Sequence, residues 1–123
     1  MLRDSFYSIV SQENISDTQT QTKVLINAAH PIFEGHFPEQ PVVPGVCMLQ
    51  MVKDIVADKA QRNIQLQSLA NVKFINVVIP QQHSELDIHL KFDNTDENSI
   101  KVTGSIAANE TVFLKISSAV YIW

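Results

Sequence analysis

From Val46 to Val52 the chain reads Val, Cys, Met, Leu, Gln, Met, Val, apolar at every position but Gln50, and polar residues return at Lys53, Asp54, Asp58 and Lys59. A segment of helical length that is apolar nearly all round predicts a core helix. Its first turns are expected to be covered and its last turns to reach solvent. Gln50 then needs a partner or a polar cavity, because a buried amide left unpaired costs about 1–3 kcal/mol. Further on, Leu86, Ile88, Leu90 and Phe92 alternate with Asp87, His89 and Lys91, the period of two of a half-buried strand. Leu66 to Phe74 reads as a strand, Val77 to Ile79 as a brief apolar edge stopped by Pro80, and Gln81 to Ser84 as a turn. Ile100, Val102 and Ile106, then Val112, Leu114, Ile116, Ala119 and Val120, continue the strands. Asp93 to Asn98 predicts a polar hairpin loop, and Asn109 with Glu110 a turn. Before the helix, Phe6, Ile9 and Val10 begin a first strand, Ser11 to Thr22 predicts a turn, and Lys23 to Ala28 a second strand. One long apolar helix among antiparallel strands predicts an α+β domain whose curved sheet wraps the helix.

At 123 residues and 45% hydrophobic content the chain suits one domain over residues 1–123 with a real core. A net charge of -4 argues against a nucleic-acid partner, which needs a basic face. No apolar run approaches the ~18 residues of a membrane span, and no basic leader precedes one, so a soluble, cytoplasmic protein is expected. Cys47, the single cysteine, has no internal partner, which suits a reducing compartment. Inside its apolar run it reads as a small hydrophobe and not as a nucleophile. The histidines His30, His36, His83 and His89 lack ligand spacing, so no metal is expected. Three glycines and no G-x-S-x-G elbow exclude a phosphate-cradling loop and a serine hydrolase.

Candidate chemistry gathers just ahead of the helix. Pro31, Pro38, Pro41 and Pro44 supply four of the five prolines, which makes a stiff, shaped loop. Pro44 suits a helix start, and Gly45 lets another molecule approach the backbone. The free N–H groups there, Gly45 and Val46 among them, can stabilise negative charge on a carbonyl oxygen. His36 is the nearest candidate acid or base.

The residues His36-Phe37-Pro38, Pro41, Pro44-Gly45-Val46 and Leu49 resemble the signature H-F-P-x-x-P-x-x-P-G-V-x-x-L-E of the 3-hydroxyacyl-(acyl-carrier-protein) dehydratases of the hotdog-fold superfamily. Val72-Lys73-Phe74, Val78-Ile79-Pro80 and Glu85-Leu86 look like the strand, turn and strand that follow the helix in that family. The resemblance implies a hotdog fold and a hydro-lyase that needs no cofactor. It places the α-proton on His36, the thioester oxygen on the Gly45 amide, and the leaving hydroxyl on residue 50 of a neighbouring subunit, with Val46 beside the substrate. It also implies a homodimer or an assembly of dimers, and an acyl carrier protein as partner.

The chain departs from that pattern at residue 50, which is Gln and not an acid, while Asp54 stands one turn later where the family often has Gln. A glutamine holds a hydroxyl or water but does not exchange a proton usefully near neutral pH. Two readings of Asp54 follow: it supplies the missing charge from about 6 Å along the helix, or it is a solvated acid beside Lys53. The chain also begins nearly at its first strand, without the leading helical segment common in the family. Two alternatives to a dehydratase follow from Gln50: a partner or acyl-binding subunit of low activity, and a thioesterase of the same fold. Because a carrier protein is acidic, Lys53, Lys59, Arg62 and Lys73 are candidates for its docking.

Overall fold

The computed structural model describes residues 3–35 and 41–123, with Gly35, Asn94 and Thr95 described in their backbone alone. In chain order the elements are β1 (Tyr7–Ser16), β2 (Gln19–Ile26), the short α1 (Ile32–Gly35), α2 (Gly45–Ala60), β3 (Gln65–Phe74), β4 (Glu85–Asp96), β5 (Ser99–Ala108) and β6 (Thr111–Ile122). All strand pairs are antiparallel and make one six-stranded sheet in the order β1-β2-β4-β5-β6-β3. The α+β architecture read from the pattern is the one observed.

Each half of that pattern does its part. On β4 the alternating Leu86, Ile88, Leu90 and Phe92 are all buried. They join Val102 and Ile106 of β5 and Leu114 and Ile116 of β6 in one core cluster with Met48, Met51, Val52, Ile55 and Val56 of α2. Pro44 caps the helix in an extended conformation, and Gln61 ends it in the left-handed region with its N–H on the Ala57 carbonyl. Cys47 packs in this core as a small hydrophobe, and its burial pushes the thiol pKa up.

Three expectations about strands and turns are corrected. The polar run Ser11 to Thr22 is mostly strand, and the chain turns only at Asp17 and Thr18. This run pairs as an edge, so β1 keeps polar residues in water while β2 buries Thr20 and Thr22 on alternate positions. Asp93 to Asn98 is likewise mostly ladder, with the turn at Glu97 and Asn98. Val77 to Ile79 forms no strand; Val78 is buried and its carbonyl accepts the Val43 N–H at 2.9 Å. That bond ties the approach to α2 against the segment after β3.

The helix buries Cys47 and Met48 near its start and exposes Asp58 and Lys59 near its end, as expected, and departs from that order at two positions. Val46, in the first turn, is 75% exposed, whereas Asp54, two turns later, is only 2% exposed. The apolar column of α2 therefore runs out at its N-terminal end onto an open surface. β3 is the opposite edge of the sheet from β1 and is exposed along nearly its whole length.

Candidate functional site

The side chains of Val46, Leu49, Gln50 and Lys53 stand at i, i+3, i+4 and i+7, which places them along one face of α2. With Leu66 and Leu69 of β3 and Ile116 and Tyr121 of β6 they line a groove of ≈ 200 Å³. Its walls are chiefly aliphatic, and Gln50 is the one neutral amide among them. A surface of this kind accommodates an acyl chain with one polar point of recognition.

The groove opens at the first turn of α2. Pro44 offers no capping side chain, and its carbonyl accepts the N–H groups of Cys47 at 3.0 Å and Met48 at 3.2 Å. The N–H groups of Gly45 and Val46 thus meet no acceptor among the described residues. At a helix N-terminus these donors suit an oxygen that gains negative charge. Gly45 has a local cause as well: a Cβ there would lie 2.8 Å from the Phe74 ring. The close approach anticipated at this glycine is made by the chain's own Phe74.

Gln50 finds its partner inside the fold. Its Nε2 donates to Asp54 Oδ1 at 2.8 Å, and the Tyr7 hydroxyl donates to Asp54 Oδ2 at 2.9 Å. Arg3 lies beside Tyr7 and makes an ion pair to Asp58 at 2.7 Å. Asp54 is therefore no solvated acid beside Lys53: it is 2% exposed, and Tyr7, the first residue of β1, bonds it. Burial and the hydrogen bond to Asp54 hold the Tyr7 phenol well above its ordinary pKa, and Arg3 opposes them.

His36 lies outside the described residues, as do Phe37, Pro38, Glu39 and Gln40. Gly45, Val46 and Gln50 are brought to one end of α2. Sequence reasoning missed Tyr7 and Arg3, which stand 47 and more positions from Asp54 and Asp58 and carry no local signal. It also missed Tyr121, Leu66 and Leu69 as groove walls. Of the docking candidates, Lys53 lines the groove, Lys59 sits 5.7 Å from the Phe92 ring and Arg62 5.1 Å from the Trp123 ring. Among the described residues no cluster of metal-ligating side chains forms, and no helix is long and apolar enough to cross a membrane.

Burial pushes the Tyr121 phenol from 10.0 up to about 12. The folded chain thus keeps a proton that the unfolded chain releases. This contribution is intact below pH 10.0 and is lost as pH rises toward about 12. Tyr121→Phe is expected to remove about 2–3 kcal/mol of that alkaline loss by pH ~12. Urea unfolding followed by circular dichroism at stepped pH checks it; equal slopes in both proteins would refute it.

One long helix packed on an antiparallel six-stranded sheet, with a groove at the helix start, is the hotdog arrangement. Solved structures share it: the dehydratase heterocomplex ApeI:P from Xenorhabdus doucetiae superposes with a TM-score of 0.71 at 17% identity, over 91% of this chain and 95% of that one. A thioesterase from Haemophilus influenzae gives 0.61 at 10% identity, over 94% and 76%. Residues 11–113 match the family model of ApeI-like dehydratases, described as ApeI dehydratase, and the chain belongs to that family. Among curated relatives, the 3-hydroxyacyl-[acyl-carrier-protein] dehydratase FabZ of Rickettsia bellii is 30% identical over 97 residues, 68% of this chain and 66% of that protein. The FabZ of Pasteurella multocida is 32% identical over 72 residues, 52% of this chain and 47% of that protein. The chain thus spans about half to two thirds of the length of these relatives.

Proposed function

We propose that this protein is a single-domain hydro-lyase that interconverts 3-hydroxyacyl and 2-enoyl thioesters presented by an acyl carrier protein in acyl-chain biosynthesis. The observation that supports it best is the aliphatic groove with one amide, Gln50, opening at a helix N-terminus whose first N–H groups meet no acceptor among the described residues. In this reading His36 removes the α-proton, and the Gly45 N–H, with Val46 beside it, holds the enolate-like oxygen. The C3–O bond then breaks, the electron pair of the former C–H bond forms the double bond, and the departing hydroxide leaves as water with the proton from His36. Gln50 positions the hydroxyl throughout. The thioester supplies the α-carbon acidity, so the reaction as written uses no metal or organic cofactor.

Two copies complete the site in this proposal, with residue 50 of one facing His36 of the other. β3 supports it, since its outer edge is unpaired among the described residues and Leu66 and Phe74, with Ile75 and Val77 just beyond, are all more than 40% exposed. A long apolar edge of this kind is a template for another strand.

A second reading, a partner subunit that binds acyl chains without turnover, is favoured by the amide at residue 50. The Xenorhabdus neighbour, itself a heterocomplex, gives that reading a precedent in the fold. The test is one assay on the purified protein, with sedimentation of the same sample. It is offered a 3-hydroxyacyl thioester and separately its 2-enoyl partner, while enoyl absorbance and free thiol are followed. Interconversion by a species of twice 13.8 kDa or more is expected. Thiol release would replace the reading by a thioesterase, and silence with retained acyl binding would replace it by the partner subunit.

A further inference from the structure

Asp54 fixes which atom of Gln50 can meet a ligand. A carboxylate accepts hydrogen bonds, so the amide edge facing Asp54 has to be Nε2, and the observed 2.8 Å contact to Oδ1 is that bond. The other oxygen is taken as well, by the Tyr7 hydroxyl at 2.9 Å. That hydroxyl has no freedom to turn away, because its second neighbour, Arg3, only donates. A guanidinium offers the Tyr7 proton no acceptor, so that proton goes to residue 54. Gln50 Oε1 accepts from none of the described residues, and Gln50 lines the groove.

We infer that Asp54, held by Tyr7, is a positioning residue that makes Gln50 present a hydrogen-bond acceptor to the groove, so that the protein selects ligands with a donor at carbon 3, a hydroxyl over a ketone. Asp54 touches no substrate in this arrangement and acts through Gln50. A 3-hydroxyl donates to Oε1, whereas a 3-oxo group places one acceptor against another. The alternative role of Asp54, a charge offered directly to the reaction, does not suit a side chain 2% exposed with both oxygens engaged. The inference rests on the reading that the groove takes acyl thioesters.

The discriminating variant is Asp54→Asn, which keeps size and shape. Tyr7 still has to donate, so Oδ1 of the new amide turns to Tyr7 and its Nδ2 turns to Gln50. Gln50 must then flip, accepting through Oε1 and presenting Nε2 to the groove. The probes are amide-linked pantetheine analogues of a 3-hydroxyacyl and a 3-oxoacyl chain, the first left unconsumed by the low acidity of its amide α-carbon and the second by having no hydroxyl to lose, titrated by calorimetry at pH ~7. The native chain is expected to prefer the hydroxy ligand by about tenfold, and Asp54→Asn to prefer the oxo ligand. Gln50→Leu, which leaves Asp54 and Tyr7 bonded to each other, is expected to bind the two equally and serves as a second arm should Asp54→Asn not fold. A hydroxy preference that survives either substitution overturns the inference while leaving the acyl groove standing. Failure of the native chain to bind either analogue removes the acyl groove and this inference with it.

Discussion

His36→Ala is expected to lower kcat for dehydration of a 3-hydroxyacyl thioester by about 10²–10⁴-fold, the usual contribution of a positioned general base. Binding of an amide-linked acyl analogue is expected to change by about twofold or less, since the groove walls come from α2, β3 and β6. The two readouts separate a proton-transfer role from a structural one. If the variant lost binding and turnover together, His36 would be part of the groove's architecture, and the α-proton would need another acceptor. Full activity in the variant would end the dehydratase mechanism proposed for this chain. No other histidine offers itself: His30 Nδ1 accepts the Ile32 N–H at 3.1 Å, His83 packs edge-on against Phe113, and His89 bonds Gln19.

The largest expected loss of stability belongs to Gly104→Ala. A Cβ at this position in β5 would lie 2.3 Å from the His89 backbone oxygen and 2.6 Å from Leu90 Cδ2, against the neighbouring β4. Gly104 thus sits where β5 passes close to β4, beside an irregularity in its register with β6. Backbone cannot swing aside as a side chain can, so the sheet has to open. A cost of about 3 kcal/mol, or a fall of roughly 10 °C in Tm, is expected. Gly45→Ala is the control: the nearest atoms to its Cβ belong to the ring of Phe74, a half-exposed side chain that can give way more readily than backbone. Thermal melts of the two variants check the contrast, and similar Tm values would show that the β4–β5 ladder yields more readily than its geometry implies.

The parts of the molecule that were legible in the sequence are those where burial and period agree. The α2 run Val46 to Val52, apolar nearly all round, and the β4 alternation Leu86 to Phe92, apolar on one face, are read correctly because burial decides each. The polar strands escape the same logic. β1 and the start of β2 are sheet because their backbone pairs, and backbone pairing leaves no hydrophobic signature where the side chains stay in water. At the site, the i, i+4 spacing of Gln50 and Asp54 placed the two on one helix face, and the structure joins them. Spacing could not reveal that Tyr7 buries the acid, because that contact is made between distant parts of the chain. The solvated reading of Asp54 failed for this reason.

The bond from Tyr7 to Asp54 makes the groove depend on the sheet's outermost strand. Among the described residues β1 is an edge of the sheet, with β2 as its one strand neighbour, and edge segments are the first to open in native proteins. Each time β1 lifts, Asp54 is rehydrated and the amide of Gln50 can spin. The chemical character of the groove is therefore only as durable as the fastening of a strand that takes no part in its walls.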